Sequence, residues 1–228
     1  MSSEILISLV TLIFLEIILG IDNIIFISLL TDKLPAENRK KARLIGLSLA
    51  LVLRLILLAG ISWILKLDQT LFTVSGYSFS GKELILIAGG LFLLYKSSKE
   101  IFEKTENKHH QDTINGKVSF NNTIGQILLL DLVFSVDSII TAVGLVDELW
   151  IMYVAVIVSI SIMLAISKNI SDFINKHPSL KILALAFLMM IGLTLIAEGF
   201  KLHIPKAYIY FSMAFSFFVN MIQIRKKV

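Results

Sequence analysis

Phe14-Leu-Glu-Ile-Ile-Leu-Gly-Ile-Asp-Asn-Ile-Ile-Phe-Ile-Ser28 and Leu129-Leu-Asp-Leu-Val-Phe-Ser-Val-Asp-Ser-Ile-Ile-Thr-Ala-Val143 lie over one another at a constant offset of 115 residues. Each stretch has an acid, five residues, a second acid, then Asn23 or Ser138 followed by Ile-Ile. The acids are Glu16 and Asp22 in the first copy and Asp131 and Asp137 in the second. An ionised carboxylate in an apolar helix costs a contested few kcal/mol inside a bilayer, so it persists mainly where it pairs, titrates or binds an ion. Four in one register point to function as a set. Structural satisfaction, for example by Arg54, is the plain alternative for any one of them.

The surrounding chain has the composition of a bilayer protein. Of its 228 residues 56% are hydrophobic and 17% charged, and the mean hydropathy is +0.84. Soluble domains have about 45–50% apolar residues. The charges cluster between long apolar runs, as they must where spans hide their backbone polarity in helices. The expected class is therefore all-α and polytopic. The net charge of +4 comes from lysines beside the ends of apolar runs, which fits orientation in a membrane better than nucleic-acid binding. Cysteine is absent, which excludes a disulfide framework, a thiolate metal site and thiol catalysis. Residues 1–4 contain no basic stretch, and Glu16 and Asp22 interrupt the first apolar run. The run is read as a retained span and not as a signal peptide.

Seven transmembrane helices are expected near 5–30, 42–65, 82–102, 122–146, 148–168, 180–200 and 205–224, since a span needs roughly 17–25 residues. The polar stretch from Thr105 to Phe120 divides the chain nearly in half. This predicts a first three-helix repeat over 1–104, a cytoplasmic linker over 105–121, a second three-helix repeat over 122–204, and a seventh helix with a basic tail over 205–228. Segment 66–81 is too polar to span, yet Leu71, Phe72 and Phe79 suit the membrane interface. Alternating the loops places 16 of the 21 basic residues on one side, with Lys66, Lys82, Lys201 and Lys206 opposite and Arg54 inside span two. The positive-inside rule then gives a multi-pass protein with its N-terminus out and C-terminus in.

Three spans separate the two acidic copies, so the second runs through the membrane in the opposite direction, the inverted-repeat design of secondary transporters with a site near the midplane. Six residues along a helix turn the second acid about 120° from the first and raise it about 9 Å. A straight helix does not aim both at one ion. Gly20 and Ser135, lying between the acids, are expected to permit a local break. Asp22 and Asp137 are the firmest ligands on this reading. Glu16 and Asp131 complete the site or relay protons, and Asn23 and Ser138 add neutral oxygens. Arg54 stands equally as tether or gate. Oxygen donors without thiolate suit Mn²⁺, Mg²⁺ or Ca²⁺.

Other candidates read more plainly. His109, His110 and Asp112 sit in a hydrophilic linker without a second ligand cluster. Met189 and Met190 could lend a softer ligand to Mn²⁺, although apolar packing is their common use. His203 beside Pro205 suits a turn, and Glu198 suits either an interfacial salt bridge with Lys201 or a gating carboxylate.

At these residues the chain resembles the TerC family of integral membrane proteins. E-I-I-L-G-I-D-N and D-L-V-F-S-V-D-S look like its two acidic signatures. S-G-K-E-L-I-L-I-A-G-G-L-F-L-L-Y-K and E-G-F-K-L-H-I-P-K-A-Y-I-Y-F-S-M-A-F-S also look like family stretches. The resemblance implies a seven-helix protein of the wider LysE-like transporter group, tied to manganese efflux and, in some members, to tellurite resistance or metal supply for exported proteins. It assigns metal binding to Glu16, Asp22, Asp131 and Asp137, with Asn23 beside them. Similar proteins often have Glu where this chain has Asn220.

The expected function is export of Mn²⁺ across the cytoplasmic (inner) membrane by proton exchange, with the bilayer, and in some arrangements a second copy or a secretion-machinery partner, around it. The competing reading is a membrane scaffold that delivers Mn²⁺ to secretion or tellurite-stress partners without sustained flux. An intramembrane aspartyl hydrolase and an amino-acid exporter fit four acids less well, so no enzymatic activity is expected.

Overall fold

The computed structural model describes residues 3–74, 77–105, 119–146 and 148–225. Its helices are α1 (Ser3–Thr31), α2 (Ala36–Ala59), α3 (Ile61–Lys66), α4 (Gly81–Thr105), α5 (Phe120–Val143), α6 (Leu149–Lys176), α7 (Pro178–Gly199) and α8 (Lys206–Arg225). Two short strands, β1 (Thr70–Val74) and β2 (Tyr77–Ser80), form an antiparallel hairpin. Among the described residues six helices, α1, α2, α5, α6, α7 and α8, are long and apolar enough to cross a membrane. The chain is thus an all-α polytopic membrane protein with one β-hairpin, at segment 66–81 where an interfacial stretch was expected. The remaining expected span is the helix α4, whose uncharged part runs only from Leu84 to Tyr95 between Lys82–Glu83 and Lys96. The second expected span, 42–65, begins earlier as α2, directly after Pro35, and ends before Gly60. Hydropathy left out its charged first turns, residues 36–41 with Glu37, Arg39, Lys40 and Lys41, although charges on a helix end leave the backbone hydrogen bonds intact. The expected linker over 105–121, with His109, His110 and Asp112, lies almost wholly outside the described residues.

The described residues form two compact units, each drawing on both halves of the chain. The first comprises 1–69 and 116–172, in which α1, α2 and α5 pack on one another and α3 touches α2 and α5. Its core joins Leu12 and Ile24 of α1, Leu58 of α2, Ile139 and Ala142 of α5, and Ile151, Met152, Ala155, Val156, Ile160 and Met163 of α6. The buried positions of α2 include Arg43, Gly46, Leu47, Ala50, Arg54 and Leu58, which recur every three or four residues and form one helix face. Gly46 brings that face onto α5: a Cβ there would stand 3.0 Å from Ile127 Cδ1. The turn between α1 and α2 is pinned by Arg39, which donates from Nε to the Leu34 carbonyl at 2.9 Å and from Nη1 to Asp32 Oδ1 at 3.0 Å.

The second unit comprises 70–115 and 173–228, with α4 packed along α7 and α8 on α7. Helices α4 and α7 are antiparallel: Gly199 lies against Glu83 and Ile87, and Gly192 against Gly90, Leu93 and Leu94. A Cβ at Gly90 would fall 2.5 Å from the Gly192 carbonyl oxygen, and one at Gly192 would fall 2.9 Å from the Gly90 carbonyl oxygen. The two backbones therefore touch, as small residues allow in membranes. The hairpin is fixed to this pair. Glu83 accepts the Ser80 amide at 2.5 Å, and Phe79 meets Phe200 edge-on at 5.8 Å.

Helix α7 ends in a Schellman motif. Leu202 donates its amide to the Ala197 carbonyl and Lys201 donates to that of Glu198, both at 2.9 Å, with Lys201 at φ 61° in the left-handed position where glycine is usual. A non-glycine residue there is disfavoured by roughly 1–2 kcal/mol. Lys201→Gly is expected to raise stability by about 1 kcal/mol, less the backbone entropy glycine adds to the unfolded chain. A thermal melt of the purified protein in detergent checks this, with a rise of about 2–4 °C expected. Glu198, expected beside Lys201, meets Lys206 at the start of α8, Oε1 to Nζ 3.8 Å.

Candidate functional site

The first unit gathers the repeated acids on two helices. Glu16, Asp22 and Asn23 are buried on α1, and Asp131, Asp137 and Ser138 on α5. Both helices run unbroken through their acidic stretches, so the break expected at Gly20 and Ser135 does not occur. Each small residue has a packing or hydrogen-bonding reason instead. A Cβ at Gly20 would overlap the sulfur of Met163, so this glycine lets α6 seat Met163 against α1. Ser135 sits one turn after Asp131 and donates its hydroxyl to Asp131 Oδ2 at 3.3 Å.

Convergence comes from a third helix. Arg54, 2% exposed, reaches from α2 to both acidic helices. Its Nη1 donates to Glu16 Oε2 at 2.6 Å. Nη2 and Nε both donate to Asp131 Oδ1, at 2.9 and 3.2 Å. Glu16, Arg54 and Asp131 thus form a carboxylate–guanidinium–carboxylate triad. With both acids ionised its formal charge is −1. Burying three charged groups costs several kcal/mol each, and their mutual attraction offsets that only with good geometry and further hydrogen bonds. The guanidinium fork and Ser135 supply these.

The other predicted ligands are arranged differently. Ser138 Oγ donates to the Ser135 carbonyl at 3.3 Å and Thr141 Oγ1 to the Asp137 carbonyl at 2.9 Å. Among the described residues, no three His, Cys, Asp or Glu side chains stand together as a ready ligand set. Arg54 draws Glu16 and Asp131 together. A small cavity of about 10 Å³ adjoins the triad, lined by Leu12, Glu16, Leu58, Ile139, Ala142, Met152, Ala155 and Val156. That is the lower limit for one water molecule. Met190, weighed as a softer ligand, and Asn220, where similar proteins often have Glu, fall in the second unit. Met190 Sδ accepts the Ser212 hydroxyl at 3.9 Å, and Asn220 Oδ1 accepts that of Ser179 at 3.1 Å.

Sequence reasoning missed the part of Ser135 as a donor to Asp131, and it left Arg54 without a settled partner. The first had a legible signal, since a serine four residues after an acid lies above it on the same helix face. The second had a weaker one: Arg54 continues the spacing of Gly46 and Ala50, which marks the helix face turned inward.

The family model described as "Integral membrane protein TerC family" matches residues 1–228. The chain belongs to the TerC family. Similar proteins include a "UPF0053 protein" of Haemophilus influenzae, 51% identical over 222 residues, which covers 97% of this chain and 94% of that protein. The "UPF0053 inner membrane protein YgdQ" of Escherichia coli K12 is 50% identical over 215 residues, 94% of this chain and 90% of that protein. The "UPF0053 inner membrane protein YoaE" of the same organism is 51% identical over 215 residues, covering 93% of this chain, which spans only 41% of that longer relative. No solved structure matches the chain.

Proposed function

We propose that this protein is a secondary transporter that exports divalent metal ions, Mn²⁺ above all, across the inner membrane by proton exchange. Glu16, Asp22, Asn23, Asp131 and Asp137 provide oxygen ligands. The observation that carries the reading is the meeting of two acid-bearing membrane helices at one buried guanidinium, since charged groups inside spans commonly mark ion pathways. Membrane placement and family membership support transport, and hard oxygen ligands without thiolate support a hard divalent cation. The names of the relatives YgdQ and YoaE support the inner membrane.

The reading includes seven spans in an inverted repeat, N-terminus out. Counting crossings supports the seven. Helices α5, α6 and α7 qualify as spans, and three crossings carry the chain from one face to the other. The hairpin before α4 nonetheless meets Phe200 after α7. A fourth crossing, by α4 alongside its antiparallel partner α7, returns Phe200 to the hairpin's side.

Mn²⁺ uptake into inverted vesicles containing only this protein tests the function. Asp22→Asn with Asp137→Asn is expected to abolish uptake while the protein still inserts. Uptake by the double variant at the wild-type rate would refute the carboxylate site. Mn²⁺ binding without uptake by the wild type would identify instead a membrane-embedded factor that delivers the metal to secretion or stress partners.

A further inference from the structure

The triad Glu16–Arg54–Asp131 has no counterpart in the proposed ligand set for one of its members, since an arginine cannot bind a metal cation. We propose that Arg54 is a built-in competitor of the cargo: in the unloaded protein its guanidinium holds one oxygen each of Glu16 and Asp131, and a divalent cation that takes them breaks the polar link from α2 to α1 and α5. The inference rests on the reading of the protein as a divalent-cation carrier, and deepens it by naming how the site is regulated.

Three observations support it. First, the guanidinium uses all three of its nitrogens on the two acids, Nη1 on Glu16 and Nη2 with Nε on Asp131. An incoming cation therefore competes with existing charge-assisted hydrogen bonds for the same carboxylates. Second, the space beside Glu16 is small: a cavity of about 10 Å³ lined by Glu16 and apolar side chains is at the limit for one water, whereas Mn²⁺ and Mg²⁺ take several oxygen ligands and their shell waters, so a cation that takes the bonded oxygens does so in place of the guanidinium. Third, the three groups lie on three different helices, so displacing Arg54 cuts the polar link between α2 and the acidic pair while α2 keeps its packing on α5 through Gly46. Guanidinium remains charged at any physiological pH, so the competitor itself cannot be discharged. A ligand shifts a conformational equilibrium by its differential affinity for the two states, and competition at the triad supplies that difference.

The test is Mn²⁺ affinity of the purified full-length chain in detergent, measured by titration calorimetry, for wild type, Arg54→Gln, Arg54→Lys and the triple variant Arg54→Gln/Glu16→Gln/Asp131→Asn. Removing the competitor is expected to tighten Mn²⁺ binding at least about tenfold in Arg54→Gln, the fold-change expected when a competent state is freed from a small population. Mn²⁺ should also raise the melting temperature of this variant more than that of wild type. The triple variant should lose the gain. A purely structural Arg54 would give the opposite result, a destabilised variant with Mn²⁺ binding equal to or weaker than wild type, and that overturns the inference while leaving the carrier reading intact. Should Arg54→Gln fail to fold, Arg54→Lys decides, because an ammonium keeps the charge without the two-sided fork: affinity about threefold tighter supports the competitor, and affinity no tighter than wild type overturns it. No Mn²⁺ binding by any form would instead defeat the carrier reading on which the inference rests.

Discussion

Asp131→Ala is expected to lower stability by about 3–5 kcal/mol, the cost of leaving a buried charge without its partner. Arg54 directs Nη2 and Nε at one oxygen of Asp131, and Ser135 holds the other oxygen. After the substitution the guanidinium retains only Glu16, through Nη1, in a core where Arg54 is 2% exposed. Thermal or denaturant unfolding in detergent measures the loss. Replacing all three members by leucine tests a different quantity. A well-packed apolar substitute for a buried ion triad is often neutral or stabilising, so the triple-leucine protein should melt at or above the wild-type temperature. It should nevertheless fail to move Mn²⁺. A triad kept for stability alone would show loss of stability in the triple variant, whereas one kept for function shows loss of transport with the fold retained.

Gly90→Val is expected to cost at least about 1–3 kcal/mol, the usual range for overpacking a well-packed contact. The reason is backbone against backbone. A Cβ at Gly90 meets the Gly192 carbonyl oxygen at 2.5 Å and Ile196 at 2.7 Å, and a carbonyl in a continuous helix cannot rotate away as a side chain can. Helices α4 and α7 must separate, and with them the hairpin held between Glu83 and Phe200. Gly192→Ala strikes the same contact from the other side, 2.9 Å from the Gly90 carbonyl. The two substitutions share one strain, so the double variant should cost less than the sum of the singles, and a double-mutant cycle measures the difference. Gly20→Ala is a useful contrast. Its added carbon meets only the flexible end of Met163, a side chain that repacks readily, and its cost should be smaller.

Much of the membrane architecture was legible because hydrocarbon imposes it residue by residue. A span needs length and apolar side chains, and both are properties of consecutive residues. Six of the seven expected spans appear as helices long and apolar enough to cross, and the seventh segment forms α4. The acids were legible for the same reason, since a carboxylate in an apolar run is conspicuous wherever the run folds. The boundaries of α2 were not, because helix hydrogen bonding extends back through Glu37, Arg39, Lys40 and Lys41, where hydropathy stops. The hairpin was missed because the pairing of β1 with β2 depends on register across a turn, which apolar content alone does not reveal.

The sequence by itself determined that acids stand in apolar helices, how they repeat, and that no cysteine thiolate is available to a metal. Tertiary structure decided what those residues do to one another. Gly20 and Ser135 read as helix breakers because small residues permit a break, but whether a helix breaks depends on its neighbours, and here Met163 and Asp131 use the space and the hydroxyl. Arg54 could have been a tether for any acid, and only the placement of α2 beside α1 and α5 gives it Glu16 and Asp131 together. Local chemistry is written along the chain, whereas the choice among partners belongs to helices that are far apart in sequence and meet only when packed.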